Sequence, residues 1–209
     1  MANRRQVIGA GLAFSALPLL GGSLPAGERL VATPIRVGRL LVDARFADAA
    51  QMAVQATGEG RQATALPRDV LGLWHDELLP AFRDGRLAAL GGITTDTGFF
   101  LMRTLAADQY LRVLYQAGHA PAEGGVVRHR LSGNASTLTV LAGGPALQDW
   151  RLRFGQAFGA CQPAGQTVQR TVLTASACED LRREALVSWV IAALPSAGAA
   201  GRSSVIRAL

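Results

Sequence analysis

Lysine is absent from this chain of 209 residues, so all 21 of its basic residues are arginine. A chain without lysine cannot form a Schiff base with a carbonyl substrate or with pyridoxal phosphate, and it lacks the lysine of a phosphate-binding P-loop. Aromatic residues make up only 6% of the sequence, too few for a surface that stacks on nucleic-acid bases. Schiff-base, pyridoxal and P-loop sites are therefore excluded.

Motifs for metal binding and for serine hydrolysis are also missing. The three histidines, His75, His119 and His129, are far apart in the sequence, and neither a C-x-x-C pair nor a G-x-S-x-G nucleophile elbow occurs. His119 and His129 can face each other only across neighbouring strands, and the sequence offers them no third ligand. We therefore predict no metal site, and the sequence identifies no cofactor.

Long hydrophobic runs are lacking after the first thirty residues. The run at residues 186–194 has nine residues, whereas a membrane-spanning helix needs about 20. Hydrophobic residues still make up 49% of the chain and charged residues 17%, which is typical of a protein that buries a core. The formal net charge of +6 comes from dispersed arginines. We expect no transmembrane span in the mature protein and no nucleic-acid partner.

The first residues have the pattern of an export signal. A basic pair, Arg4 and Arg5, precedes an apolar stretch at residues 7–20, which is too short to span a membrane. The pair and the apolar residues after it resemble a twin-arginine (Tat) signal, with Asn3 in place of the usual Ser or Thr and Val7 in place of Phe. This resemblance, over about 25 residues, implies export of the folded protein by the Tat translocase to the periplasm and cleavage of the signal. A general secretory signal is the alternative.

The chain divides into three expected parts. Residues 1–33 form the export signal and a linker, residues 34–195 form one α/β domain, and residues 196–209 form a small, polar and flexible tail. Within the domain, strands alternate with helices up to about residue 121. We predict strands at 40–42, 62–66, 87–93 and 111–115, and helices at 46–57, 69–85 and 98–108. This alternation is typical of a mostly parallel sheet with helices on both faces.

The pattern changes from about residue 122. Residues 126–131 and 136–141 flank a turn rich in Gly and Asn at 132–135, which predicts a β-hairpin in the C-terminal half. A helix at 147–161, a strand at 167–174 and a last helix at 176–194, opened by a capping box, complete the domain. The predicted fold class is α/β.

In open parallel sheets, ligands bind beyond the carboxyl ends of the strands. Six polar side chains are expected to follow the ends of the first, third and fourth strands and to border one cleft: Asp43, Arg45, Thr94, Thr95, Thr97 and His119. The threonines precede a helix N-terminus, which favours a bound carboxylate or phosphate, and Arg45 adds positive charge. His119 is the acid–base candidate, because the pKa of histidine lies near neutrality.

Simpler interpretations of the same residues remain open. Asp43 and Thr97 are also suited to capping the helices that follow them, and a single histidine such as His119 is often structural. Cys161 and Cys178 are close enough to form a disulfide, which would stabilise the fold by roughly 3 kcal/mol. A Tat substrate folds before export, so the fold must also form with both thiols reduced. Inert thiols, or a reactive Cys178 in the first turn of a helix, are the alternatives.

Three functions follow from these observations. The favoured hypothesis is an exported periplasmic binding or accessory module, which holds a small anionic ligand or docks on a periplasmic partner such as an exported redox complex. The second is a small periplasmic enzyme, a hydrolase or isomerase that uses His119 with Asp43. The third is an assembly factor without a ligand.

Overall fold

The computed structural model describes residues 34–57, 62–142, 150–163, 166–175 and 185–193. Within them the chain forms seven strands: β1 (Val37–Val42), β2 (Gln62–Ala65), β3 (Ala89–Thr95), β4 (Arg112–Pro121), β5 (Val126–Asn134), β6 (Thr167–Ala175) and β7 (Leu186–Ala192). Its α-helices there are α1 (Ala47–Thr57), α2 (Val70–Leu73), α3 (Leu79–Arg83), α4 (Asp96–Ala107), α5 (Ala135–Ala142) and α6 (Trp150–Ala160). The predicted export signal, the predicted tail and Cys178 lie outside the described residues.

The seven strands form one mixed sheet in the order β2-β1-β3-β7-β4-β5-β6. β1 is parallel to both β2 and β3, whereas the pairs β3–β7, β7–β4, β4–β5 and β5–β6 are antiparallel. The α/β class is therefore confirmed, but the prediction of a mostly parallel sheet is wrong. β7 accounts for part of the difference, because it lies between β3 and β4 and is antiparallel to both. The antiparallel pairs of β5 with β4 and β6 account for the rest.

The first half of the sheet follows the predicted alternation of strands and helices. α1 connects β1 to β2 on one side of β1, and the chain then crosses to form β3 on the other side. Pro80 lies within the helix predicted at residues 69–85, and a proline inside a helix is expected to kink or shorten it. The structure places a π-helical segment, Trp74–Leu78, just before it, in which the Leu79 N–H donates to the Trp74 carbonyl. This wider turn accommodates a proline that has no N–H to donate.

The hairpin lies elsewhere than predicted. β5 continues through residues 132–134, and Ala135 begins α5 rather than a second strand. Asn134 stops the strand, because its side-chain oxygen accepts from the Ser136 N–H at 2.9 Å. The chain reverses instead between β4 and β5, where Gly124 and Gly125 have φ of 75° and 72°. Glycine adopts such angles without strain.

The last predicted helix is also wrong over its described part. Residues 186–192 are β7, and all seven are buried. A short apolar run buried on both faces has no alternation, so its sequence does not distinguish a central strand from a buried helix. The capping box at 176–179 lies outside the described residues.

The buried residues form two hydrophobic clusters. Leu40 of β1 belongs to the first, with residues of α1, α5 and α6 such as Met52 and Phe158. Leu41 belongs to the second, with residues of α2, the π-helical segment, α3 and α4 such as Trp74. Neighbouring residues of a strand point to opposite faces, which explains the division. Among the described residues, no helix has both the length and the apolar character needed to cross a membrane.

Candidate functional site

A cavity of about 840 Å³ opens at the carboxyl ends of β1, β2 and β3. Its lining comes from the segments that follow these three strands: Asp43, Ala44, Arg45, Leu66, Pro67, Arg68, Val70, Thr95, Thr97, Gly98 and Leu101. Four of the six predicted site residues, Asp43, Arg45, Thr95 and Thr97, therefore meet around one cavity. The sequence argument missed Arg68, although it follows the predicted end of the second strand.

Asp43 and Arg45 form a bidentate ion pair at the edge of the cavity. The Arg45 Nη2 donates to Asp43 Oδ2 at 2.6 Å, and its Nε donates to Oδ1 at 2.8 Å. Hydrogen bonds from the Arg45 side chain, opposed by burial, hold the pKa of the Asp43 carboxyl below its usual value. Asp43 is buried, whereas the Arg45 side chain is 73% exposed. The aspartate is thus a fixed anion that orients an accessible guanidinium.

The threonines at the end of β3 separate into different roles. Thr95 is the N-cap of α4, and its Oγ1 accepts from the Gly98 N–H at 3.3 Å. Thr94 is fully buried, and its hydroxyl accepts from the Trp189 Nε1–H at 3.1 Å. Thr94 therefore faces the second cluster and not the cavity, contrary to the prediction. Thr97 is exposed in the first turn of α4.

The charges around the cavity favour an anion. The Asp43 carboxylate is offset by Arg45, and Arg68 is exposed with no ion-pair partner among the described residues. The N-terminus of α4, with its partial positive charge, lies at the same opening. Asp96 in the first turn opposes this charge, but it is exposed to solvent and does not line the cavity.

His119 does not border this cavity, contrary to the prediction. β4 extends to Pro121, so His119 is a strand residue rather than a loop residue, and it is fully buried. The sheet register pairs Leu186 of β7 with His119 on one side and with Thr95 on the other. One strand therefore lies between the histidine and the cavity edge.

His119 belongs instead to a buried polar chain of five side chains. Tyr115 Oη lies 3.1 Å from Ser188 Oγ, which lies 2.9 Å from His119 Nε2. The Nδ1 atoms of His119 and His129 are 2.7 Å apart, and His129 Nε2 lies 2.8 Å from Thr174 Oγ1. The chain thus links four strands, β4, β5, β6 and β7, through side chains that are all buried.

Burial keeps both imidazoles of the polar chain neutral. Trp150 and Phe154 of α6 pack on them, with ring centroids 4.6 to 5.1 Å away. Desolvation lowers the pKa of His129 to about 4, and desolvation together with the neighbouring His129 lowers the pKa of His119 well below 6.5. A serine beside a histidine is a typical nucleophile–base pair, but no member of the chain lines the cavity described above.

Part of the buried polar chain could be anticipated from the sequence. The sequence allows His119 and His129 to face each other across neighbouring strands, and the structure pairs them on β4 and β5. Ser188 was missed because its segment was assigned to a helix. Among the described residues, no group of three or more His, Cys, Asp or Glu side chains is placed to hold a metal ion.

The cysteine prediction stays open. Cys161 is buried directly after α6, and its Sγ lies 3.4 Å from the Ala157 carbonyl oxygen. Cys178 lies outside the described residues, so the disulfide remains a prediction.

No protein-family model matches this protein, and neither a curated protein nor a solved structure matches it.

Proposed function

We propose that the protein is an exported periplasmic module that binds a small anionic ligand, a carboxylate or a phosphate, in the cavity at the ends of β1, β2 and β3. The observation that carries this proposal is the meeting of Arg45, Arg68 and the α4 N-terminus at one opening. Guanidinium groups and free helix N–H groups recognise the same oxyanions.

The topology supports the position of this site. The chain leaves β1 towards β2 on one side, and β3 lies on the other side of β1, so the connections after β1 and β3 run in different directions. Open α/β sheets bind ligands at such a switch point. This is an analogy of fold, and the side chains supply the chemistry. We also infer that helices cover both faces of the sheet, because each hydrophobic cluster contains helical residues.

The enzyme hypothesis is weakened, because its proposed acid or base does not border the cavity. It relied on His119 as acid or base, and this histidine is enclosed one strand away from the cavity. No specific contact among the described residues supports the accessory role or the ligand-free role. Binding of an anion is the function that named side chains support.

Removal of Arg68 is expected to weaken anion binding about tenfold or more, because a hydrogen bond to a charged group contributes roughly 1.5–3 kcal/mol. Arg68 is the better target than Arg45, since the loss of Arg45 would leave Asp43 buried without its partner. Calorimetric titration of the Arg68→Ala variant with inorganic phosphate, and in parallel with succinate, measures the effect.

The matched control is Arg83→Ala. Arg83 is also exposed, but it contacts Gln109 and does not line the cavity. Equal affinities of the two variants, or no binding of either anion by the native protein at millimolar concentration, would refute the site.

The proposed export depends on Arg4 and Arg5. Replacing both by lysine is expected to abolish appearance of the folded, shortened protein in the periplasm, because the Tat resemblance rests on the arginine pair. Cell fractionation and immunoblotting measure this, with Arg36→Lys in the exposed start of the domain as control. Undiminished export of the double variant would show that a general secretory signal operates.

A further inference from the structure

The two imidazoles of the buried polar chain share one proton between their Nδ1 atoms. At 2.7 Å one Nδ1 must donate and the other must accept. The outer Nε2 atoms contact the hydroxyls of Ser188 and Thr174, which act equally well as donors or acceptors. The neutral pair can therefore take up one proton and keep every hydrogen bond of the buried polar chain. A second proton would place N–H donors on both Nδ1 atoms, facing each other.

Among the described residues, no carboxylate forms a hydrogen bond or ion pair with either imidazole of the pair. The neighbouring elements contribute mainly cations and neutral groups: Arg151 and Arg153 from α6, Arg170 from β6, Tyr115 from β4 and Cys161 after α6. The buried carboxylate of Asp48 in α1 is engaged by Arg151 of α6 at 2.6 Å. The hydrogen-bond partners of the pair on β6 and β7, Thr174 and Ser188, are uncharged. Within the described part of the chain, the charged pair would be stabilised by reaching water.

We propose that the His119–His129 pair is an acid-sensitive latch that holds α6 on the sheet, and that uptake of a proton by the pair releases α6. The helix is the element that covers both imidazoles, through Trp150 and Phe154. Its movement lets water reach the charge, while the strands keep their backbone pairing.

Release of α6 also removes a support of α1. Arg151 is the partner of Asp48 in the first turn of α1, and α6 packs on α1 at Gly155, where a Cβ would lie 2.9 Å from the Met52 carbonyl oxygen. α1 begins two residues after Arg45. The latch is therefore connected through α1 to the segment that lines the cavity. It operates whether or not that cavity binds an anion.

The direction of the pH effect follows from burial. An exposed histidine takes up a proton near pH 6.5, whereas the covered His129 has a pKa of about 4. The closed state is fully favoured above pH 6.5 and loses its advantage as the pH falls from 6.5 towards 4. An opening that takes up one proton grows about tenfold for each pH unit in this range.

Hydrogen exchange of the full-length protein at pH 7 and pH 5, corrected for the intrinsic exchange rates, tests the latch. We expect the opening of α6 to increase tenfold or more, while amides of α4, which packs in the second cluster, stay protected. The double variant His119→Gln with His129→Gln is expected to lose most of this pH dependence, and His75→Gln, at an exposed position, is expected to keep it.

Two results would overturn the latch: joint exposure of α6 and α4, which means global unfolding, or an α6 opening that does not depend on pH. If the double variant fails to fold, ring-nitrogen NMR of the native protein decides. Protonation of the His119 and His129 rings must then follow the same pH curve as α6 opening, and a separate curve refutes the coupling.

Discussion

Substitution of Gly92 by alanine is expected to lower the free energy of unfolding by about 3 kcal/mol or more, at the upper end of what overpacking costs. A Cβ at this position would overlap the indole ring of Trp189. The ring is fully buried and its Nε1–H is bonded to Thr94, so it has little room to move. β3 is paired with β1 on one side and β7 on the other, which prevents a shift of the backbone.

Denaturant unfolding followed by circular dichroism measures this loss. Gly118→Ala is the matched control, because Gly118 is also a strand glycine and a Cβ there would meet no atom within 4 Å. We expect this control to change stability by less than about 0.5 kcal/mol. Equal unfolding midpoints for the two variants would contradict the packing of Trp189 over Gly92.

Removal of Arg151 is expected to cost about 3 kcal/mol, because it leaves the Asp48 carboxylate buried without its partner. The Arg151 Nε lies 2.6 Å from Asp48 Oδ1, and the two side chains are 16% and 5% exposed. The second oxygen of Asp48 has no hydrogen-bond partner in the described structure, so the carboxylate depends strongly on this arginine. Thermal and denaturant unfolding of Arg151→Leu give the loss.

The pair between Arg86 and Asp84 is the control for this experiment. Both of its side chains are more than half exposed, and Arg86→Leu is expected to cost less than about 1 kcal/mol. In the double variant Asp48→Leu with Arg151→Leu, much of the stability should return, since no buried charge remains. A double variant as unstable as Arg151→Leu would show that lost packing, and not the unpaired carboxylate, causes the effect.

The part of the candidate site that was predictable lies at strand ends. Asp43 and Arg45 follow an apolar run that stops abruptly, and such a stop locates a strand end from local sequence alone. The role of Thr94 was not predictable in this way. β3 continues two residues further than expected, and each added residue reverses the face to which a side chain points.

The prediction that His119 follows the end of a strand and borders the cleft is wrong for a related reason. The sequence predicts that the fourth strand ends at residue 115, but β4 continues through Gly118 because β5 and β7 pair with both of its edges. Strand length was thus set by neighbours that are distant in the sequence. Pairing with β5 and β7 therefore places His119 inside the sheet, at the centre of the buried polar chain.

Local sequence was enough to predict the alternation of strands and helices up to residue 107, the α/β class and the convergence of Asp43, Arg45, Thr95 and Thr97. These features depend on local periodicity and on the common end of parallel strands. The place of β7 depends on long-range strand pairing, and so do the mixed sheet and the contact of Ser188 with His119, which are 69 residues apart. A uniformly apolar run carries no local signal for its direction or its partners, so these were set by packing between β3 and β4.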